Sequence, residues 1–192
     1  MKLLICVTKG REYLYSSKNG LLLKEKPIAE NFADYTLLNS KVVAECDYEV
    51  EEFEKVKGET IYALLRRSFF ENDRLEIAHE CNMTNEEIYN YMTDNGLHPN
   101  NNFGYAIRLS NTYMFTNPRS IHNYIKRVYL YKDSYGIYPL KTTPQNICRV
   151  YDKNDNKGFY MISVKPQVAY QILNGTKTME IRKRIVMDML NK

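Results

Sequence analysis

Tryptophan is absent, and histidine is limited to His79, His98 and His122, each isolated from the others. Isolated histidines are poor metal ligands, and the four cysteines, Cys6, Cys46, Cys81 and Cys148, never adopt C-x-x-C spacing. Zinc sites and disulfide frameworks both depend on such spacing, so neither is expected; the thiols read as reduced, in a cytoplasmic protein with no metal and no cofactor. Glycine is also scarce, eight in all, and forms neither G-x-x-x-x-G-K-[ST] nor G-x-G-x-x-G. Phosphate cradles of those two kinds, and nucleotide hydrolysis through them, are therefore excluded. No serine sits in G-x-S-x-G, which leaves a nucleophilic triad unsupported. No apolar run approaches the roughly 20 residues that cross a bilayer, so no membrane partner is expected. Met1 to Val7 is too short for a secretory core and reads as a first strand.

What the chain does have is tyrosine, 17 of them, with a net charge of +4. That balance is mildly basic and well short of a dedicated duplex-DNA binder. The tyrosines supply flat amphipathic surface suited either to stacking on bases or to walling a barrel. With 192 residues, 44% hydrophobic and 26% charged, the chain fits one globular domain spanning 1–192.

The stretch around which the rest is organised is Ile162 to Arg184. Met161 to Val164 is short and apolar, and Pro166 belongs at the first turn of a helix. Ala169, Ile172 and Leu173 share one stripe of that helix, and Gly175 provides the positive φ at its exit. Thr178 to Arg184 then alternates as a strand, with Thr178, Glu180, Arg182 and Arg184 on one face and Met179 and Ile181 on the other. The plain reading of Glu180 and Arg182 is an ion pair on a wet sheet surface, worth little. The local charge balance suggests more: Lys165, Lys177, Arg182, Lys183 and Arg184 surround a single acid, an arrangement suited to an anion pocket.

Elsewhere, Lys2 to Val7 and Glu12 to Tyr15 read as strands, as does Asn39 to Tyr48 after a turn, and the acids Glu49, Glu51, Glu52 and Glu54 read as a solvated face. Residues 59–102 form a helical insertion in this reading. Ile61, Leu64, Leu65, Ser68 and Phe69 keep helical spacing, and Thr84 with Glu87 has capping-box form before Ile88, Tyr91 and Met92. Asp94 to Gly96 ends that helix and His98 to Asn102 is a loop. Phe103 to Phe115 is expected as two strands bent at Ser110-Asn111, and Asn117-Pro118 as the start of a short helix through Ile121, Tyr124 and Ile125. Val128 to Tyr138 has no clear period. Asn146 to Tyr151 and Gly158 to Val164 are strands joined by a turn over Asp152 to Lys157.

Gly175, Lys177, Glu180 and Arg182 spell G-x-K-x-x-E-x-R, preceded by Ser163, Lys165 and Pro166 as S-x-K-P and by the exit Ile172 to Gly175. This resembles the signature of the ASCH domain, a PUA-like β-barrel family of small RNA- or nucleotide-associated proteins. Asn39 to Tyr48 resembles the family's N-G-K-V-V-G-E-F strand, and the resemblance covers about three quarters of the chain, leaving out the insertion. The order is rotated, because the signature closes the chain and the Cys6-Val7-Thr8-Lys9 segment that follows it in related proteins opens it. The implied fold is an α+β, PUA-like barrel, circularly permuted, with a helical insertion; a swapped dimer is the competing arrangement, and the oligomeric state is open.

By that resemblance, Lys177, Glu180 and Arg182 floor a pocket for RNA or a nucleotide, rimmed by Lys165, Thr8, Lys9 and Gln145. Two other functions remain open. Some ASCH proteins are similar to amidohydrolases of acylated nucleosides or to ribonucleases, which would make Lys177 and Glu180 catalytic, although the amidohydrolase branch has threonine at the Glu180 position. Small ASCH-like proteins of phages and mobile elements also suggest an inhibitor of a host defence nuclease, with a host nucleoprotein complex as partner and the acidic run and insertion as contact surfaces.

Overall fold

Alternating and β-branched segments dominate the chain, and most of the described residues lie in strands, giving a mixed α+β protein with few helices. The computed structural model describes residues 1–8, 13–16, 22–25, 35–56, 58–59, 61–64, 75–93, 103–131 and 134–190. In chain order, the first strands are β1 (Lys2–Val7), β2 (Tyr13–Ser16), β3 (Leu22–Glu25), β4 (Tyr35–Leu37), β5 (Lys41–Lys55), β6 (Tyr62–Leu64) and β7 (Leu75–Glu76). Helices α1 (Ala78–Cys81) and α2 (Asn85–Thr93) precede β8 (Phe103–Ser120) and a 3-10 turn, Ile121–Asn123, with another at Met187–Met189 near the end of the chain. Then come β9 (Tyr124–Tyr131), β10 (Ser134–Pro139), β11 (Cys148–Asp152), β12 (Gly158–Val164), α3 (Pro166–Leu173) and β13 (Met179–Arg182).

These elements cluster into two compact units, one of Met1–Asp47 with Asn111–Gly175 and the other of Tyr48–Ser110 with Thr176–Lys192. Strands β5 and β8 contribute residues to both. In the first unit the strand order is β10-β9-β11-β12-β1-β5, with β1 parallel to β12 and antiparallel to β5. Leu4 lies opposite Met161 across the parallel pair, and both are buried with Phe115, Tyr124, Val150 and Phe159. A separate three-stranded sheet, β3-β2-β4, belongs to the same unit, where the Tyr15 hydroxyl donates to the carbonyl of Phe115 at 3.0 Å. Helix α3 begins at Pro166 as expected, buries Ala169 and Ile172, and is left at Gly175 with φ 77°.

The second unit packs Phe53, Tyr62, Leu64, Ile77, Cys81, Ile88, Met92, Ala106, Met179 and Ile181 into one core. Here β5 pairs with β6, β6 with β7, and β8 with β13, all antiparallel. The capping box that starts α2 is formed: Thr84 N donates to Glu87 Oε2 at 2.7 Å, and Glu87 N to Thr84 Oγ1 at 3.1 Å. Gly104 in β8 lies against the ring of Phe53, where any Cβ would collide with it.

Three local expectations change. Tyr62–Leu64 is strand, because both its neighbours offer backbone partners; Leu65, Ser68 and Phe69 lie outside the described residues. β8 runs unbroken through Ser110-Asn111, which it passes by placing Asn111 at φ 47°, and that point is also the boundary between the units. Asn117-Pro118 stays extended. The helical turn that follows is capped by Ser120, whose Oγ accepts from His122 N at 3.3 Å, and Tyr124 and Ile125 are already in β9. Val128 to Tyr138, which has no readable period, forms the β9-β10 hairpin. The expected turns at Asn19-Gly20 and Asp94 to Gly96 and the loop at His98 to Asn102 lie outside the described residues. No closed barrel is found among the described residues, and β13 takes β8 as its partner.

Candidate functional site

Strand β13 lies in the second unit, held on one side by β8, with Glu180 opposite Ile107 and Arg182 opposite Tyr105. On its other flank, the approach to the strand is tied to α1: Thr178 N donates to the Glu80 carbonyl at 3.1 Å, while the Thr178 carbonyl accepts from Leu109 N at 2.8 Å. One extended residue thus bridges a helix end and a strand.

Lys177, immediately before it, is buried. Its Nζ donates to the carbonyl of Cys81 at 2.6 Å and pairs with Glu180 Oε2 at 3.2 Å, with side-chain exposures of 3% and 9%. Cys81 is the last residue of α1, and Asn82 after it takes the left-handed conformation at φ 49°, so the lysine serves a carbonyl that a helix end leaves without a partner. The other carboxylate oxygen, Oε1, pairs with Arg182 Nη2 at 3.1 Å. Glu180 is therefore gripped from both sides, and the pair on a wet surface is replaced by a three-membered network whose lysine and glutamate are buried. Losing a partner from such a network leaves an uncompensated interior charge. Arg182, with 21% of its side chain exposed, is the member that reaches solvent. Lys183 follows, its amine 5.1 Å from the centre of the Tyr91 ring, and then the exposed Arg184.

The Cys81 thiol reflects the same surroundings. Burial pushes its pKa up to about 12, Lys177 pulls it back, and Glu180 and Glu80 push it up again. A second, more exposed cluster lies beside the network: Arg108 Nη1 donates to Glu80 Oε2 at 2.7 Å, and Nη2 to Glu51 Oε2 at 3.4 Å. Burial works to lower the Arg108 pKa, but the hydrogen bond and charge of Glu80, with Glu51, leave it raised. Sequence reading missed this cluster, since no local spacing joins Glu51, Glu80 and Arg108. A shallow groove of about 360 Å³ lies along the α1-α2 turn and Thr176, lined by Ala78, His79, Asn82, Met83, Thr84 and Glu87.

The remaining predicted residues that the structure describes, Thr8, Gln145 and Lys165, belong to the first unit. Thr8 N donates to Val164 O at 2.9 Å, extending the parallel β1-β12 pairing, so Thr8 and Lys165 leave the same end of that pair. Lys165 is exposed at the N-cap of α3, and Gln145 is exposed in the turn before β11. Lys9 lies outside the described residues. The structure thus brings together Lys177, Glu180 and Arg182 in one unit, and Thr8 and Lys165 in the other.

Fold and site together define a strand-rich α+β protein in which one unit carries a buried lysine-glutamate pair extended to solvent by an arginine. No protein family, curated protein or solved structure matches the chain. No helix among the described residues is long and apolar enough to cross a membrane.

Proposed function

We propose that the protein is a cytoplasmic RNA- or nucleotide-binding protein of the permuted ASCH, PUA-like kind, with its ligand held at the basic end of β13. The observation that carries this reading is the two-sided grip of Lys177 and Arg182 on Glu180. Two cations around one acid leave positive charge in excess, and Lys183 and Arg184 extend it outward. Lys177 and Glu180 hold the strand and orient the guanidinium; Arg182, the solvent-reaching member, takes a phosphate or a base carbonyl. Orientation by a buried partner makes such a donor selective, because its geometry is fixed before the ligand arrives.

Titration with single-stranded RNA and with mononucleotides at about 50 and about 200 mM salt tests the reading, since phosphate binding weakens steeply over that range. Arg182→Ala and Arg184→Ala are expected to weaken binding. Affinities unchanged in both variants remove the reading. Incubation with acylated cytidine and with RNA separates turnover from binding alone.

A further inference from the structure

The β9-β10 hairpin and neighbouring β11, in the first unit, carry a surface that the reading above does not use. Register places Tyr129 directly opposite Tyr135, Arg127 opposite Ile137, and Tyr151 opposite Ile125, so these side chains project from one face. Tyr129 is 83% exposed and Tyr135 46%. Between the rings stand guanidinium groups. Arg127 lies 5.0 Å from the centre of the Tyr135 ring and 4.1 Å from that of Tyr151, and Arg149 lies 5.5 Å from Tyr151. Arg127 is itself anchored by donating to Asn156 Oδ1 in the β11-β12 turn. Tyrosine and arginine thus alternate across three adjacent strands.

Charge narrows the occupant. Over the described part of 124–157, six lysines and arginines face two aspartates, Asp152 and Asp155. Both aspartates accept backbone hydrogen bonds inside their own turn, from Asn154 N at 2.8 Å and Lys157 N at 2.9 Å. An apolar protein partner would have to desolvate the guanidinium groups without compensation. A polynucleotide single strand satisfies both features, with bases on the rings and phosphates at the cations. A duplex hides its bases and could use only the cations.

We infer that the Tyr129-Tyr135-Arg127-Tyr151-Arg149 face binds single-stranded nucleic acid by stacking bases on Tyr129 and Tyr135 beside phosphates held by Arg149. This rests on the polynucleotide reading above but uses different residues in the other unit, so the two can fail separately.

The probes are labelled 12-nucleotide oligo(A) and oligo(U) RNA, oligo(dT) and a duplex of the same length, titrated against the whole chain. Tyr129→Ala and Tyr135→Ala are each expected to weaken single-strand binding about fivefold or more, the low end for one stacked base. Tyr129→Phe keeps the ring and the affinity. Arg149→Ala is expected to reduce the steepness of the salt dependence by about 0.7, one phosphate's share for a single strand. Equal RNA and DNA affinities identify backbone and base faces as the determinants; a preference for RNA adds the 2′-hydroxyl to the same site. Unchanged affinity in both tyrosine-to-alanine variants, or duplex binding as tight as single-strand binding, overturns the inference. So does a dimer paired along β10 that the same variants disrupt while binding persists. If Arg182→Ala abolishes binding and the tyrosine variants do not, this inference falls while the β13 reading stands; the reverse pattern sinks the β13 reading alone.

Discussion

The ammonium of Lys177 donates to the backbone carbonyl of Cys81 at 2.6 Å, joining a residue two positions before β13 to the last residue of α1 across 96 positions of sequence. The same ammonium pairs with Glu180, so one side chain ties a helix end to a carboxylate of the strand.

Replacing Lys177 with Met is expected to cost about 3–5 kcal/mol, since it leaves Glu180 interior with Arg182 as its partner in the network. The double variant Lys177→Met/Glu180→Leu is expected to recover part of that loss, because the stranded charge goes with its partner. Urea unfolding of the two single variants and the double gives the coupling energy, and additive losses would show that the buried pair is not a unit.

Gly104 is expected to tolerate no side chain. Gly104→Ala sets a methyl against the Phe53 ring and should destabilise by about 1–3 kcal/mol, the usual range for overpacking. Phe53→Leu in the same background relieves the clash, so its cost there is smaller than in the wild type. Thermal unfolding of the four proteins checks this, and a Gly104→Ala variant as stable as the parent contradicts the packing.

Thr84→Ala removes one half of the capping box and is expected to cost about 1 kcal/mol, whereas Thr84→Ser keeps the acceptor and most of the stability. Hydrogen exchange across Asn85–Thr93 is the direct measurement. Uniform protection in both variants argues against a role for the cap.

Burial pushes the thiols of Cys6, Cys46 and Cys81 up to about 12 from an ordinary 9.0. Below pH 9 they are neutral in folded and unfolded chains alike and add no pH dependence. Between pH 9 and 12 the unfolded chain releases these protons and the folded chain keeps them, so stability falls as pH rises through that window. The urea midpoint should drop between pH 8 and pH 10; a flat profile opposes the assignment. Cys148 is raised by burial too, but it is half-buried, and a thiol reagent in native protein should reach it before the other three.

Several features were legible in the residues because their causes are local. Pro166 opens α3 and Gly175 ends it, Thr84 and Glu87 reciprocate three residues apart, and Asp152 to Lys157 turns on its own side chains. Each depends on neighbours within one turn of chain, which a sequence displays directly. Lys2 to Val7, Asn146 to Tyr151 (observed as Cys148–Asp152) and Gly158 to Val164 were legible as strands for a similar reason: short apolar, β-branched runs bounded by turn residues.

Sequence by itself determined that the chain is strand-rich and mildly basic, that the G-x-K-x-x-E-x-R stretch follows a proline-opened helix, and that the chain turns at Gly175 and over Asp152 to Lys157. Tertiary structure alone decided that Tyr62–Leu64 is strand between β5 and β7, that β8 stays continuous past Asn111, and that β13 pairs with β8. It alone buried Lys177 and Glu180 together and set Arg108 against Glu80 and Glu51. The physical reason is that strand pairing and charge burial are satisfied by backbone groups and side chains far away in sequence. Periodicity records which face of a strand is apolar, but not which distant strand or helix end covers it.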